Sequence, residues 1–495
     1  LFEKSGANEN FYHWLSKLFF ETLNKGETER PNEDFIMPDK TSVKIPYLNG
    51  GLFDPEEYDN KLLTFVLTLF HSKDFEQEPL TEKKYKKKEE THRGFLDFLN
   101  AFNFTVHEDS PEDHTVAVDP EMLGHIFENL LEDNKDKGAF YTPKEIVHYM
   151  CQESLIEYLT THLSKEYTVY RAIGNRKVEL FGNEVAQGQL QMMESLGDKA
   201  LDREAIASIV KNKDISSLTA QQLTRMSDLL NTVKICDPAI GSGAFPMGLL
   251  QEIFAIKELI AFETSSIWEP AKVKENIIQN SIYGVDIEKG AVDIARLRFW
   301  LSLIVNEEKP KALPNLDYKI VVGDSLLSKF EDEIIEIDWN KTGSVGKADE
   351  YVKNVQRLLK EVAKKQKDYF NEEGKSKKGI ATEIRDLKID LLINQLSFNK
   401  ESYANKNSVK IDNGLGLSAK DLKTNDVVIG EIDRFNKTIN NLIKTKSDKL
   451  RPFNHFDWKL DFPEILNPLL FEGNIDSIGF DIVIANPPYI GQKEN

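Results

Sequence analysis

The sequence predicts an α/β fold built around a parallel sheet, with a helical region before the sheet and a helical insertion within it. Three observations lead there. Four short apolar runs, VKICDP, SIYGVD, YKIVVGD and FDIVIAN, each close on turn or acidic residues, and helical stretches separate them, as in βαβ units. From Asp324 to Asn486 lie about 160 residues, where a connection in an α/β unit takes roughly 2 to 6. Before Val233 the apolar residues recur mainly with the helical period.

Composition sets the outer limits. At 495 residues the chain has room for several domains of roughly 150 residues. Its 40% hydrophobic and 29% charged content is that of an ordinary soluble protein. No apolar run approaches the roughly 18 to 20 residues of a membrane span, and the opening LFEKSGANEN lacks a signal-peptide core, so the expected location is cytoplasmic. Cys151 and Cys236, the two cysteines, stand in apolar contexts without ligand spacing, which predicts a reducing compartment and no structural metal. The net charge of −19 excludes a protein that coats nucleic acid with its whole surface. A local basic face remains open.

Phe11, Trp14, Leu15, Leu18, Phe19 and Leu23 predict a helix over 11–24, and 61–70 continues the helical character. KKYKKKEETHR (83–93) reads as a solvated basic loop. Thr142-Pro143-Lys144-Glu145 reads as a capping box with proline at the first helical position, followed by Ile146, Val147, Met150 and Cys151 on one face.

Chemistry gathers at the strand ends. In DPAIGSGAF, Asp237 ends the first strand, Gly241 and Gly243 permit a tight turn, and PMGLLQEIFAI (246–256) starts a helix. The turn matches neither the dinucleotide pattern GxGxxG nor a phosphate loop ending in GK[ST]. It suits a ligand with an amino-acid part and a nucleoside part. Asp286 ends the second strand, where a ribose diol would find an acceptor, and Asp324 ends the third, within reach of an adenine amine. Each of these carboxylates alone is equally a turn or cap former; their recurrence at three strand ends is what favours a ligand.

The insertion carries helical periodicity over 351–370, 383–398 and 433–443. Residues 341–450 hold 23 Lys and Arg against 16 Asp and Glu, so both a solvated helical hairpin and a contact with nucleic-acid phosphate stay open. After it, Phe480 to Ile484 reads as a strand buried on both faces. Asn486-Pro487-Pro488-Tyr489 follows as a stiff turn that presents the Asn486 side chain and the Pro487 carbonyl as acceptors beside an aromatic face. That arrangement suits a planar ring with an exocyclic amine.

The order of DPAIGSGAF, GVDI, GDSLL and NPPY, with KGAFYTPKEIVHYM (137–150) upstream, resembles the gamma arrangement of S-adenosylmethionine-dependent DNA adenine-N6 methyltransferases. IPYLNGGLF (45–53), DPEMLGHIFENLL (119–131), EKGAVDIARLRFWLSL (288–303) and FDWKLDFPEIL (456–466) narrow the resemblance to the modification region of type IIG restriction-modification enzymes, which fuse nuclease, methyltransferase and target-recognition parts. The resemblance implies a Rossmann-like methyltransferase sheet, incomplete at its C-terminal side. It divides the chain into an N-terminal helical domain (1–136), a methyltransferase part with the upstream cofactor motif and three strands (137–330), a mostly helical basic insertion (331–454) and the NPPY strand and loop (455–495). Tyr141, Thr142 and Pro143 would border the methionine part of the cofactor. Asp237, Ala239, Gly241 and Gly243 would form the turn beneath it, Asp286 with Ile287 would take the ribose, and Asp324 the adenine edge. Asn486, Pro487 and Tyr489 would hold the target base.

The implied reaction needs no metal. Acceptors from Asn486 and Pro487 favour a tetrahedral N6 whose lone pair faces the methyl sulfonium, and the adenine is flipped from the double-stranded DNA and stacked on Tyr489. The alternatives are a type I-like modification subunit, a protein glutamine methyltransferase, and a non-catalytic S-adenosylmethionine-binding scaffold. Because the chain begins with Leu, shows no PD…(D/E)xK nuclease arrangement and ends soon after NPPY, the expectation is a modification fragment. Its nuclease and target-recognition regions would belong to the same parent polypeptide or to a partner subunit. An isolated 1–495 chain is then expected to be catalytically silent and to self-associate through the unpaired edge of its last strand.

Overall fold

The computed structural model describes residues 11–25, 29–30, 35–36, 41–45, 47, 122, 142–164, 167–172, 193–198, 201–306, 314–331, 333–335, 337, 339, 347–370, 374–407, 409, 418–449, 451–470 and 478–487. The predicted helix at 61–70, the basic run 83–93, Tyr141, Pro488 and Tyr489 lie outside them, as do most of IPYLNGGLF and DPEMLGHIFENLL. The chain divides into two compact units, one of Leu1–Glu108, Thr115–Met122 and Val285–Gly479, the other of Asp109–His114, Leu123–Gly284 and Phe480–Asn495.

Helix α1 (Phe11–Ser16) continues as a π-helix over Lys17–Leu23, where the sequence predicts one α-helix. A two-residue antiparallel pair follows, β1 (Phe35–Ile36) with β2 (Ser42–Val43). Helix α2 (Lys144–Leu163) then leads into an antiparallel hairpin of β3 (Tyr167–Ala172) and β4 (Met193–Asp198). Helices α3 (Arg203–Asn212) and α4 (Ala220–Thr232) are each capped by a side chain, Asp202 and Thr219.

The centre is a four-stranded sheet of β5 (Ile235–Asp237), β6 (Ile282–Asp286), β7 (Ile320–Val322) and, last in the chain, β10 (Ile482–Val483), in the order β10-β5-β6-β7. Parallel pairing sets Ile482 opposite Ile235 and Val483 opposite Cys236, and Ile235 opposite Ile282. Ile235, Cys236, Ile282, Tyr283 and Val285 are all buried, which is why these strands read as unbroken apolar runs. β10 departs from that. Ile482 and Ile484 are buried but Val483 is 64% exposed, so the strand buries one face, not two as its composition predicts. Helices α5 (Ala244–Glu263) and α6 (Pro270–Ser281) connect β5 to β6, and α7 (Lys289–Ile304) follows β6.

Between β7 and β10 a small hairpin, β8 (Lys329–Phe330) with β9 (Glu333–Ile334), precedes three long helices: α8 (Lys347–Tyr369), α9 (Gly374–Lys406) and α10 (Ala419–Ser447). Their apolar faces share one core in which Leu359, Val362, Ile384, Leu391, Leu392 and Leu442 are wholly buried. Several of the insertion's basic side chains are paired locally. Lys365 pairs with Glu383, Arg385 and Lys449 with Asp386, Lys446 with Asp390, Arg434 with Glu333 and Arg451 with Glu331. Two single helical turns, α11 (Trp458–Asp461) and α12 (Pro463–Leu466), complete the first unit. Among the described residues no helix is long and apolar enough to cross a membrane.

Candidate functional site

In the second unit, β5 feeds a turn that only glycine enters cheaply. Gly241 (φ 51) and Gly243 (φ 87) are left-handed, and Gly243 N–H donates to Ile240 O at 2.8 Å before α5 begins. Asp237, 1% exposed, turns its Oδ1 onto the Ala239 N–H at 3.0 Å. Gly284 in β6 is forced by packing, since a Cβ there would stand 2.2 Å from Ile240 Cδ1.

Helix α2 lies against α5. Gly248 faces Cys151, where an added Cβ would come within 2.9 Å of the sulfur, and the Cys151 thiol reaches Phe245 O at 3.4 Å. Burial pushes both the Cys151 and Cys236 thiols up. A buried carboxylate, Glu252, fastens the pair by accepting from Gln152 Nε2 at 3.2 Å and meeting His148 Nδ1 at 3.1 Å, with Lys213 on its other oxygen. The buried face of α2 runs through Val147, Cys151, Leu155 and Leu159, whereas Ile146 is 48% exposed, so the predicted Ile146-Val147-Met150-Cys151 face is shifted.

The capping box predicted at Thr142 does not form. Helix α2 starts at Lys144, with Pro143 as its cap and no side-chain cap bond; its first amides, Ile146 N and Val147 N, donate to Pro143 O. The Thr142 hydroxyl instead accepts from Asn486 Nδ2 at 3.0 Å. Asn486, half-buried, stands three residues after β10, whose Val483 pairs with Cys236 of β5, and Pro487 after it is exposed. The sequence therefore brings Thr142 and Asn486 to one place, but by a bond that no local pattern encodes.

In the first unit, β6 ends at Asp286, whose Oδ1 accepts from Glu288 N at 2.9 Å, and Ile287 beside it is 73% exposed. β7 leads to Asp324, whose Oδ1 accepts from Leu326 N at 2.9 Å and Leu327 N at 3.1 Å. Gly323 N–H donates to Asp286 O at 2.8 Å, joining the two strand ends. Leu326, two residues after Asp324, is 89% exposed and is not among the residues singled out from the sequence. All three strand-end aspartates thus form side-chain turns on their own following amides. Among the described residues no group of His, Cys, Asp and Glu could hold a metal ion.

Residues 280–495 match the model of the Eco57I restriction-modification methylase family, and residues 5–117 match a domain of unknown function, DUF7814. The similarity is to restriction-modification methylases. The chain is also 28% identical, over 99% of its own length, to a Methanocaldococcus jannaschii protein named "Putative type II restriction enzyme and methyltransferase", and it spans 38% of that relative. The methylase match begins just before β6 and takes in Asp286, Asp324 and Asn486, so these three candidate residues lie within the matched region.

Proposed function

We propose that this chain is the modification part of a type IIG-like restriction-modification enzyme, transferring a methyl group from S-adenosylmethionine to the N6 amine of adenine in double-stranded DNA. The observation that supports it most is the hydrogen bond from Asn486 Nδ2 to Thr142 Oγ1. It joins the residue read as holding the base to the motif read as bordering the cofactor.

The residues present suit that cofactor. Two left-handed glycines let backbone approach a ligand closely, and Ile287 and Leu326 offer exposed apolar faces beside the carboxylates of Asp286 and Asp324. In this reading Asp286 accepts from the ribose hydroxyls and Asp324 from the adenine amine. Tyr141, Thr142, Pro143, Asp237, Ala239, Gly241 and Gly243 surround the methionine part. When bound, the cofactor supplies an electrophilic methyl group on a sulfonium. The protein's part is orientation: Thr142 holds the amide nitrogen of Asn486, so that Oδ1 is the end of the amide offered to the adenine N6, and the Pro487 carbonyl is the second acceptor. An asparagine is no strong base; fixed dipoles that favour a tetrahedral nitrogen supply the gain, and the proton leaves afterwards. Tyr489 supplies the stacking face for the flipped base.

In this reading the sheet is a Rossmann-like methyltransferase sheet, with residues 1–136 as the N-terminal helical domain and 331–454 as an insertion. Nuclease and target-recognition regions of the parent enzyme are the partners. The deciding experiment is methyl transfer from labelled S-adenosylmethionine by the full-length parent to duplex DNA, RNA and a protein release factor. Label in N6-methyladenine of duplex DNA is the expected result; label only in the release factor, or cofactor binding without transfer to any of the three, rejects the reading.

A further inference from the structure

The segment Phe456 to Phe462 lies far along the chain from β7 (Ile320–Val322), yet it packs directly against the residues that follow that strand. The Phe456 ring lies so close to Gly323 that an added Cβ would come within 2.5 Å of its Cβ and 2.6 Å of its Cγ. Trp458 Nε1 donates to Ser325 O at 2.9 Å. One side chain thus presses on the residue before Asp324, and the other holds the carbonyl of the residue after it.

The brace is itself held rigidly. Phe456, Trp458 and Phe462 form a mutual aromatic cluster with centroids 5.0, 6.0 and 5.8 Å apart, and Phe456 and Phe462 are buried. Asp457 caps the turn through Oδ1, accepting from Lys459 N at 3.0 Å and Leu460 N at 2.9 Å. Asp461 closes it from the other end, taking Asp457 N–H on Oδ2 at 3.0 Å and pairing through Oδ1 with Lys388 of α9, both side chains buried. Inserted helix, aromatic turn and strand-end loop are linked by contacts in one unit.

The geometry points to Phe456 and Trp458 as positioning residues for the Asp324 loop: they set where the Asp324 carboxylate and the exposed Leu326 side chain sit, and through them the hold on the nucleoside end of the cofactor. This rests on the assignment of Asp324 in the proposed function. Gly323 has its physical reason in the same contact, because any side chain there would displace the Phe456 ring.

Three variants of the full-length parent test it, read by calorimetric S-adenosylmethionine binding, KM for cofactor and for DNA, kcat at saturating cofactor, and thermal melting. Trp458→Phe keeps the ring and removes the donor. Its cofactor affinity should fall about tenfold, as for one hydrogen bond, with KM for DNA, saturated kcat and melting temperature near wild type. Gly323→Ala should weaken cofactor binding in the same selective way. Asp324→Ala reads the underlying assignment separately. If Asp324→Ala loses cofactor while Trp458→Phe and Gly323→Ala bind it normally, the brace is wrong and the pocket stands; if Asp324→Ala also binds normally, the pocket assignment fails. Loss of cofactor affinity, DNA affinity and melting temperature together in both brace variants would make these residues part of the general core and overturn the proposal.

Discussion

Asn486 Nδ2 and Thr142 Oγ1 meet at 3.0 Å across 344 residues of chain, while helix α2 begins at Lys144 with no side-chain cap. A threonine at a helix start ordinarily spends its oxygen on the helix. Here α2 starts on the Pro143 carbonyl with no side-chain cap, and the Thr142 hydroxyl accepts from the Asn486 amide.

Thr142→Val replaces the acceptor with a methyl group of similar shape. Saturated kcat for DNA methylation by the full-length parent should fall about tenfold, the effect of one net hydrogen bond, with Thr142→Ser close to wild type. Cofactor affinity is the discriminating measurement. A raised cofactor Kd with unchanged kcat would assign Thr142 to the cofactor alone.

Asp286→Ala should weaken S-adenosylmethionine binding by about 1 to 3 kcal/mol, the range for a hydrogen bond to a charged acceptor. Titration calorimetry reads it directly. Equal affinity in variant and wild type removes Asp286 from the site.

Gly284→Ala places a methyl 2.2 Å from Ile240 Cδ1 in a strand that is otherwise buried. Overpacking of that kind costs about 1 to 3 kcal/mol. Ile240→Val deletes the offending carbon, so the double variant should unfold at higher denaturant than Gly284→Ala alone; no recovery would mean that the strain lies elsewhere.

Lys388 and Asp461 are 8% and 2% exposed at their side chains. Removing one partner strands the other charge. Lys388→Met should therefore destabilise by about 3 to 5 kcal/mol, and Lys388→Met with Asp461→Leu should regain a large part of it. Recovery will be incomplete because Asp461 also accepts the Asp457 N–H. Chemical denaturation of both variants provides the comparison, and a Lys388→Met protein as stable as wild type would show that the pair is solvated.

The pH dependence of stability follows from two neighbours with opposite signs. Burial lowers His455 from 6.5 to about 4, so between those values the unfolded chain binds the proton that the folded one refuses, and stability falls as pH drops through that window. Burial, and then Asp461, raises Asp457 from 3.8 to about 6, so its contribution is fully present below pH 3.8 and is lost as pH rises to 6. The two slopes oppose one another in wild type. His455→Phe removes the first, so its melting temperature relative to wild type should climb as pH falls from 6.5 towards 4. A constant difference across that range refutes the assignment.

The sequence by itself determined the local features: apolar runs that became β5, β6, β7 and β10, glycines at 241 and 243 that take left-handed backbone, carboxylates at three strand ends, and three helices in the insertion. These follow from short-range rules, periodicity, turn sterics and side-chain turns, which a linear chain displays directly. Tertiary structure alone decided that Thr142 serves Asn486 and not its own helix, that Val483 stays exposed, that Arg434 of α10 pairs with Glu333 of β9, and that Phe456 and Trp458 pack against the residues flanking Asp324. Each of those joins residues far apart in the chain. A hydroxyl, a lysine or an indole N–H has many potential partners of equal chemistry, and only the packed fold, by bringing one within reach and excluding water from it, selects among them.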